Sequence, residues 1–134
     1  MTYLLDTNAI SDLMRASQRI EDWMAKLNQG DRVVTCTIVR GELLFGIARL
    51  PAGRRRAELE QTGHQFLSVF HCEAVPQDAA DFYATVKLAR QRSGLALDEN
   101  DLWVAATALA LGATLVGRDA DFAGIDGLPV VALR

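Results

Sequence analysis

Short apolar runs of strand length alternate along this chain with longer stretches of helical periodicity, and that alternation restricts the fold more than any other feature. Strand-like runs cover 2–5, 33–36, 70–75, 113–116 and 129–132. The segments between them predict helices over 9–14, 20–27, 37–50, 52–68, 78–92 and 101–111. Helical spacing is plain in Ile20, Trp23, Met24 and Leu27, and again in Ala79, Phe82, Val86 and Ala89. Thr37 is placed to cap the third of these helices, Pro51 to stop it, and Gly112 to end the last. Strands joined through helices run parallel, and a parallel sheet is covered on both faces. The expected fold class is therefore α/β: a three-layer α/β/α sandwich with a central parallel sheet, Rossmann-like in its winding.

A chain of 134 residues predicts one domain over 1–134. Half of the residues are hydrophobic, so a folded core is expected rather than disorder. At this size folding removes roughly two-thirds of the unfolded surface from water. There is no internal repeat, low-complexity segment or interdomain linker. No apolar run approaches the ~20 residues that span a bilayer. The opening segment lacks the apolar stretch of a signal peptide, so a cytoplasmic protein away from membranes is expected.

The net charge of −3 and the pI near 5.3 argue against a broad basic face for non-specific nucleic-acid binding. They leave open a nuclease whose acids are concentrated in one metal pocket. Arg54, Arg55 and Arg56 read either as a phosphate contact or as a solvated loop and helix start. Cys36 and Cys72 lie in strand-like runs and read as small core residues, not a disulfide or metal pair. His64 and His71 are too few for a zinc site.

The acids are informative through their placement. Asp6 follows the first strand in YLLDTN, and Asp119 follows the fourth in LVGRDADF, with Gly117 available for a sharp exit. Asp101 begins the helix that leads into the fourth strand, and Glu42 lies about one and a half turns into the helix after the second. In right-handed strand–helix–strand units, strand carboxyl ends and helix amino ends share one rim, where ligands bind. Asp6, Glu42, Asp101 and Asp119 should therefore converge. Two carboxylates about 4 Å apart repel by up to roughly 4 kcal/mol at an effective dielectric near 20. A hard divalent cation reverses that sign, so one or two Mg²⁺ or Mn²⁺ ions are expected, positioned to activate water against a phosphodiester.

Each acid alone has a plainer reading. Asp6 fits a turn or helix cap. Glu42 fits a salt bridge to Arg40 or Arg49. Asp101 fits the favourable charge of a first helical turn. Asp119 and Asp121 fit a surface turn, while Asp98 and Glu99 suit charges at the start of a helix. The metal reading rests on the joint topology.

The whole pattern resembles the PIN-domain ribonucleases, in particular the VapC-like toxins of type II toxin–antitoxin systems. YLLDTNAIS matches the family's opening strand and acid, VRGELLFGI the second motif with Glu42, NDLWVAATAL the third with Asp101, and LVGRDADF the fourth with Asp119. Asp98 and Asp121 are possible additional acids beside the last two. Position 117 is Gly where the family often has Thr or Ser. The resemblance implies a small cytoplasmic, Mg²⁺- or Mn²⁺-dependent ribonuclease that forms a homodimer and is inhibited by a VapB-like antitoxin. It also implies that Thr7 and Asn8 support the metal-binding side chains, and that an antitoxin arginine reaches the acidic pocket. Leu44, Phe45 and Trp23 are candidates for core packing, self-association or an antitoxin groove.

Three other readings compete. An aspartyl phosphatase of the haloacid-dehalogenase type needs a second Asp two residues after the first, and position 8 is Asn. A phosphoacceptor receiver domain needs a Lys after a late strand, and the chain's lysines are Lys26 and Lys87. The last alternative is a catalytically weak PIN-fold module that binds RNA or a partner without cutting.

Overall fold

The computed structural model describes residues 1–118 and 120–133, with only the backbone of Asp121. Five strands form the sheet: β1 (Thr2–Leu5), β2 (Arg32–Cys36), β3 (His71–Glu73), β4 (Thr114–Gly117) and β5 (Val130–Ala132). Six helices connect them: α1 (Thr7–Met14), α2 (Gln18–Ala25), α3 (Thr37–Ala48), α4 (Arg54–Val69), α5 (Ala79–Arg92) and α6 (Glu99–Leu111). The strand order is β3-β2-β1-β4-β5, and every pairing is parallel. The expected α/β/α architecture is thus present.

Leu4 pairs with Val34 on one side and Leu115 on the other, and all three are buried. Strands buried on both faces read as continuous apolar runs. This is why TYLL and TLVG carry no alternation. The helices sort by contact: α1 packs on α2, α3 and α4, whereas α5 packs on α6. Right-handed crossovers put the first group on one face and the second on the other.

The order of strands also fixes a special position. The chain winds outward from β1 through β2 to β3, then returns to place β4 on the opposite side of β1. Crossovers therefore leave in opposite directions at the carboxyl ends of β1 and β4. Such a reversal opens the crevice in which α/β sheets bind ligands.

Several boundaries differ from the sequence reading. The first helix begins at Thr7, because Asp6 turns out to cap it. Thr37 does not cap α3: Cys36 occupies that position without a capping bond, and the Thr37 hydroxyl donates to the Glu73 carbonyl at 3.3 Å. The last long helix begins at Glu99, so Asp101 sits within its first turn. Edge strand β3 keeps three residues of the predicted six, since only one neighbour pairs with it. Gly63 does not weaken α4. A Cβ there would come within 2.9 Å of Ile47 Cδ1, so the glycine lets α4 lie close against α3.

Candidate active site

Asp6 stands at the crevice between β1 and β4. Its backbone N–H donates to the Val116 carbonyl at 2.9 Å, tying the end of β1 to β4. Its side chain is almost fully buried, and Oδ1 accepts the Thr7 N–H at 2.8 Å. Asp6 is thus the α1 cap and a site candidate at once. The positive end of the helix favours its carboxylate.

Thr7 joins Asp6 to the second predicted acid. Its hydroxyl donates to Glu42 Oε1 at 2.9 Å. From the other side, Asn100 Nδ2 donates to Glu42 Oε2 at 3.4 Å, a long bond. Glu42 is half-buried, and among the described residues neither Arg40 nor Arg49 forms an ion pair with it. The salt-bridge alternative for Glu42 is thereby set aside. Its two donors are neutral, so they orient the carboxylate without cancelling its charge.

Asp101 follows Asn100 in the first turn of α6 and is half-buried. Asp98 is the exposed cap of that helix, with Oδ2 accepting the Asn100 N–H at 3.2 Å. Glu99 turns toward α5, where Tyr83 and Lys87 bind it. Lys87 first, and then Tyr83, hold the Glu99 carboxyl below the usual range, and Glu99 in return raises the Lys87 ammonium. Asp98 and Glu99 therefore do the structural work expected of charges at a helix start. Asp119, and the side chain of Asp121, lie outside the described residues.

The sequence reading missed the contacts of three residues. Asn100 bridges α6 to Glu42. Asp12 is an acid buried at 8% exposure, paired with Arg15 Nη2 at 2.7 Å and Arg118 Nε at 3.1 Å. Arg118 also donates from Nη2 to Asn8 Oδ1 at 3.4 Å, which gives Asn8 a place in the network. An acid between Ile10 and Leu13, inside the apolar stripe of α1, was the available signal for Asp12.

Gly117 has a role other than the sharp exit read from sequence. It ends β4, paired with Ala132, and has no left-handed φ. A Cβ added there would lie 3.1 Å from Asp6 Cβ and 3.4 Å from Oδ2. The glycine leaves room for the Asp6 carboxylate where a larger residue would press on it. The arginine cluster looks different as well. Arg54 pairs with Glu58 and Arg56 with Glu60 along α4, as a solvated helix start requires. Arg55 instead lines a cavity of about 320 Å³ that reaches Thr7 and Glu42.

Among the described residues, no three acid, histidine or cysteine side chains form a ready-made metal cluster. What is brought together is a run of contacts: Asp6 to Thr7, Thr7 to Glu42, and Glu42 to Asn100. The donors are oxygen only, held by neutral hydrogen-bond donors beside space kept free by a glycine. That chemistry fits a hard divalent cation.

A family model for the PIN domain matches residues 3–128. The chain belongs to the PIN-domain family. Among curated relatives, this PIN domain is 32% identical to plasmid stability protein StbB of Pseudomonas syringae pv. tomato, over 96% of this chain and 95% of that one. It is 30% identical to VapC ribonuclease Y4jK of Sinorhizobium fredii, over 92% and 93%. In solved structures, its fold matches that of VapBC2 from Rickettsia felis, crystallised on a promoter DNA fragment, with a TM-score of 0.89 at 22% identity over all of both chains. It also matches VapBC-5 from Mycobacterium tuberculosis, a member of the VapBC family of toxin–antitoxin systems. There the TM-score is 0.74 at 27% identity, over 99% of this chain and 98% of that one.

Proposed function

We propose that this PIN domain, a single unit over 1–134, is a ribonuclease that hydrolyses RNA phosphodiester bonds with Mg²⁺ or Mn²⁺ and serves as the toxin of a toxin–antitoxin pair. One observation carries the chemistry: Asp6 and Glu42, from different strand–helix units, are both bound by Thr7 at the carboxyl rim of the sheet. The relative named as a VapC ribonuclease supports the reaction. The likeness to VapBC-5 supports a VapB-like antitoxin as partner.

In this reading Asp6, Glu42, Asp101 and Asp119 hold the ion, with Asp98 and Asp121 as neighbouring acids. When bound, the ion supplies charge neutralisation and makes water acidic enough to act as a nucleophile near neutral pH. The chain's own residues prepare that site. Burial of Asp6 and its helix cap fix one carboxylate. The Thr7 hydroxyl and the Asn100 amide fix the orientation of Glu42. Asn8 steadies Arg118, the residue before Asp119 in the sequence. Amino ends of α1 and α6 on the same rim favour the phosphate. A homodimer and a cytoplasmic location complete the proposal, together with an antitoxin arginine that neutralises the acids.

The test is cleavage of end-labelled RNA with Mn²⁺ by the wild-type chain and by Asp6→Asn. Cleavage that needs Mn²⁺ and disappears in Asp6→Asn is expected. Equal rates in the two proteins would overturn the assignment. RNA binding by a wild-type chain that never cuts would favour the catalytically weak binding module.

A further inference from the structure

The buried face of α3 is formed by Val39, Leu43 and Ile47. Phe45 lies off that face and is 68% exposed, an unusual position for a phenyl ring. It lines a cavity of about 490 Å³ together with Gly41, Glu42, Gly46, Arg49 and Asn100. The cavity thus runs from an acid of the candidate active site, past an aromatic ring, to a cation.

We propose that this groove is a stacking subsite for a base of single-stranded RNA, with Phe45 as the platform and Arg49 as the contact to a neighbouring phosphate; the proposal deepens the ribonuclease reading and rests on it. Helical side chains lean toward the amino end of their helix, and position 41 lies about one turn from Phe45 in that direction. That position is glycine, and a Cβ built on Gly41 or Gly46 would meet nothing within 4 Å. No neighbouring side chain covers either glycine, so the space beside the exposed ring is open to a planar base. Glu42 and Arg49 stand three positions before and four after Phe45 on the same helical face. These spacings are about 4.5 Å and 6 Å along the axis. Arg49 forms no ion pair among the described residues, so its guanidinium is available to a phosphate.

The lining also discriminates between occupants. An amphipathic helix or a second copy of the chain needs a row of apolar anchors. Here Phe45 is flanked by two glycines, a carboxylate, an amide and a guanidinium, with Ile38 half-buried behind them. One aromatic plane among polar groups suits a nucleotide, and stacking on it tolerates any base.

The experiment measures binding of homo-oligoribonucleotides of about twelve nucleotides in EDTA, by fluorescence anisotropy, beside an abasic ribose-phosphate oligomer of equal length. Wild type, Phe45→Ala, Phe45→Tyr and Arg49→Ala are compared, with thermal melting to verify folding. Phe45→Ala should weaken binding of base-bearing RNA about tenfold, and Phe45→Tyr should restore it. The abasic oligomer should bind wild type and Phe45→Ala alike, and Arg49→Ala should weaken both oligomers. Overturning results are an unchanged affinity in Phe45→Ala, an equal loss on the abasic oligomer, or no RNA binding by wild type. Conversion to monomers by Phe45→Ala together with equal loss on both oligomers would assign the face to a second copy instead. Cleavage in Mn²⁺ is read separately. Wild-type cleavage with indifferent Phe45→Ala defeats the subsite alone, whereas base-dependent binding without cleavage defeats the nuclease reading alone.

Discussion

The Thr7 hydroxyl holds Glu42 at 2.9 Å across 35 positions of sequence. The same residue's amide holds Asp6 at 2.8 Å. Thr7 thus sets the spacing between two acids that would otherwise repel. Removing the hydroxyl while keeping shape isolates that role. Thr7→Val is expected to lower Mn²⁺-dependent RNA cleavage about 10- to 100-fold, the range for losing a group that orients a metal ligand. Thr7→Ser should stay near wild type. Initial rates at several Mn²⁺ concentrations check this, with an increase in the Mn²⁺ needed for half-maximal rate.

Gly117 tests the position of Asp6 from the other side. Gly117→Ala places a methyl group 3.1 Å from Asp6 Cβ. Its backbone tolerates alanine, so the effect should fall on Asp6 and not on β4. Cleavage is expected to drop about tenfold, because small displacements of a reacting group are costly. Steady-state kcat/KM alongside a thermal melt separates misplacement from unfolding.

How far the sequence reached is clear from these residues. Asp6 and Glu42 were legible because an acid after a buried strand, or one and a half turns into the next helix, has its rim fixed by chain direction. The resemblance implied a supporting role for Thr7, but neither its bond to Glu42 nor the part of Asn100 was legible, since those contacts depend on how α1, α3 and α6 pack. At Gly117 the sequence suggested a sharp exit but not the approach to Asp6, because a close approach leaves no mark in the sequence that differs from a turn. Thr37 looked like a cap because threonine often is one, but a tertiary bond to Glu73 claims its hydroxyl.

Asp12 predicts a stability effect distinct from activity. Its carboxylate is buried, but Arg15 and Arg118 are 62% and 47% exposed, so solvent screens much of the attraction. After that discount, Asp12→Asn should cost about 1 kcal/mol. The expected fall in Tm is about 4 °C. Differential scanning calorimetry at low and high salt checks it, with the gap between proteins narrowing at high salt.

The Glu99 site predicts a pH dependence. Bonds from Lys87, and secondarily Tyr83, hold its carboxyl below the ordinary 4.5. A depressed folded-state pKa contributes stability that is present above the unfolded value and is lost as pH falls through the folded one. The loss therefore belongs below about pH 4.5, and it is small because the group is exposed. In Lys87→Met, the Glu99 carboxyl resonance should titrate higher, closer to 4.5, when followed by carbon-detected NMR. An unchanged midpoint would mean that Lys87 does not set it.

The most direct test of the metal account is a crystal grown with MnCl₂ and measured at the manganese absorption edge. The account predicts an anomalous peak at the β1–β4 crevice, with carboxylate oxygens of Asp6 and at least one of Glu42, Asp101 and Asp119 about 2.0–2.3 Å away. Ordered carboxylates at that rim with no anomalous peak between them would contradict it.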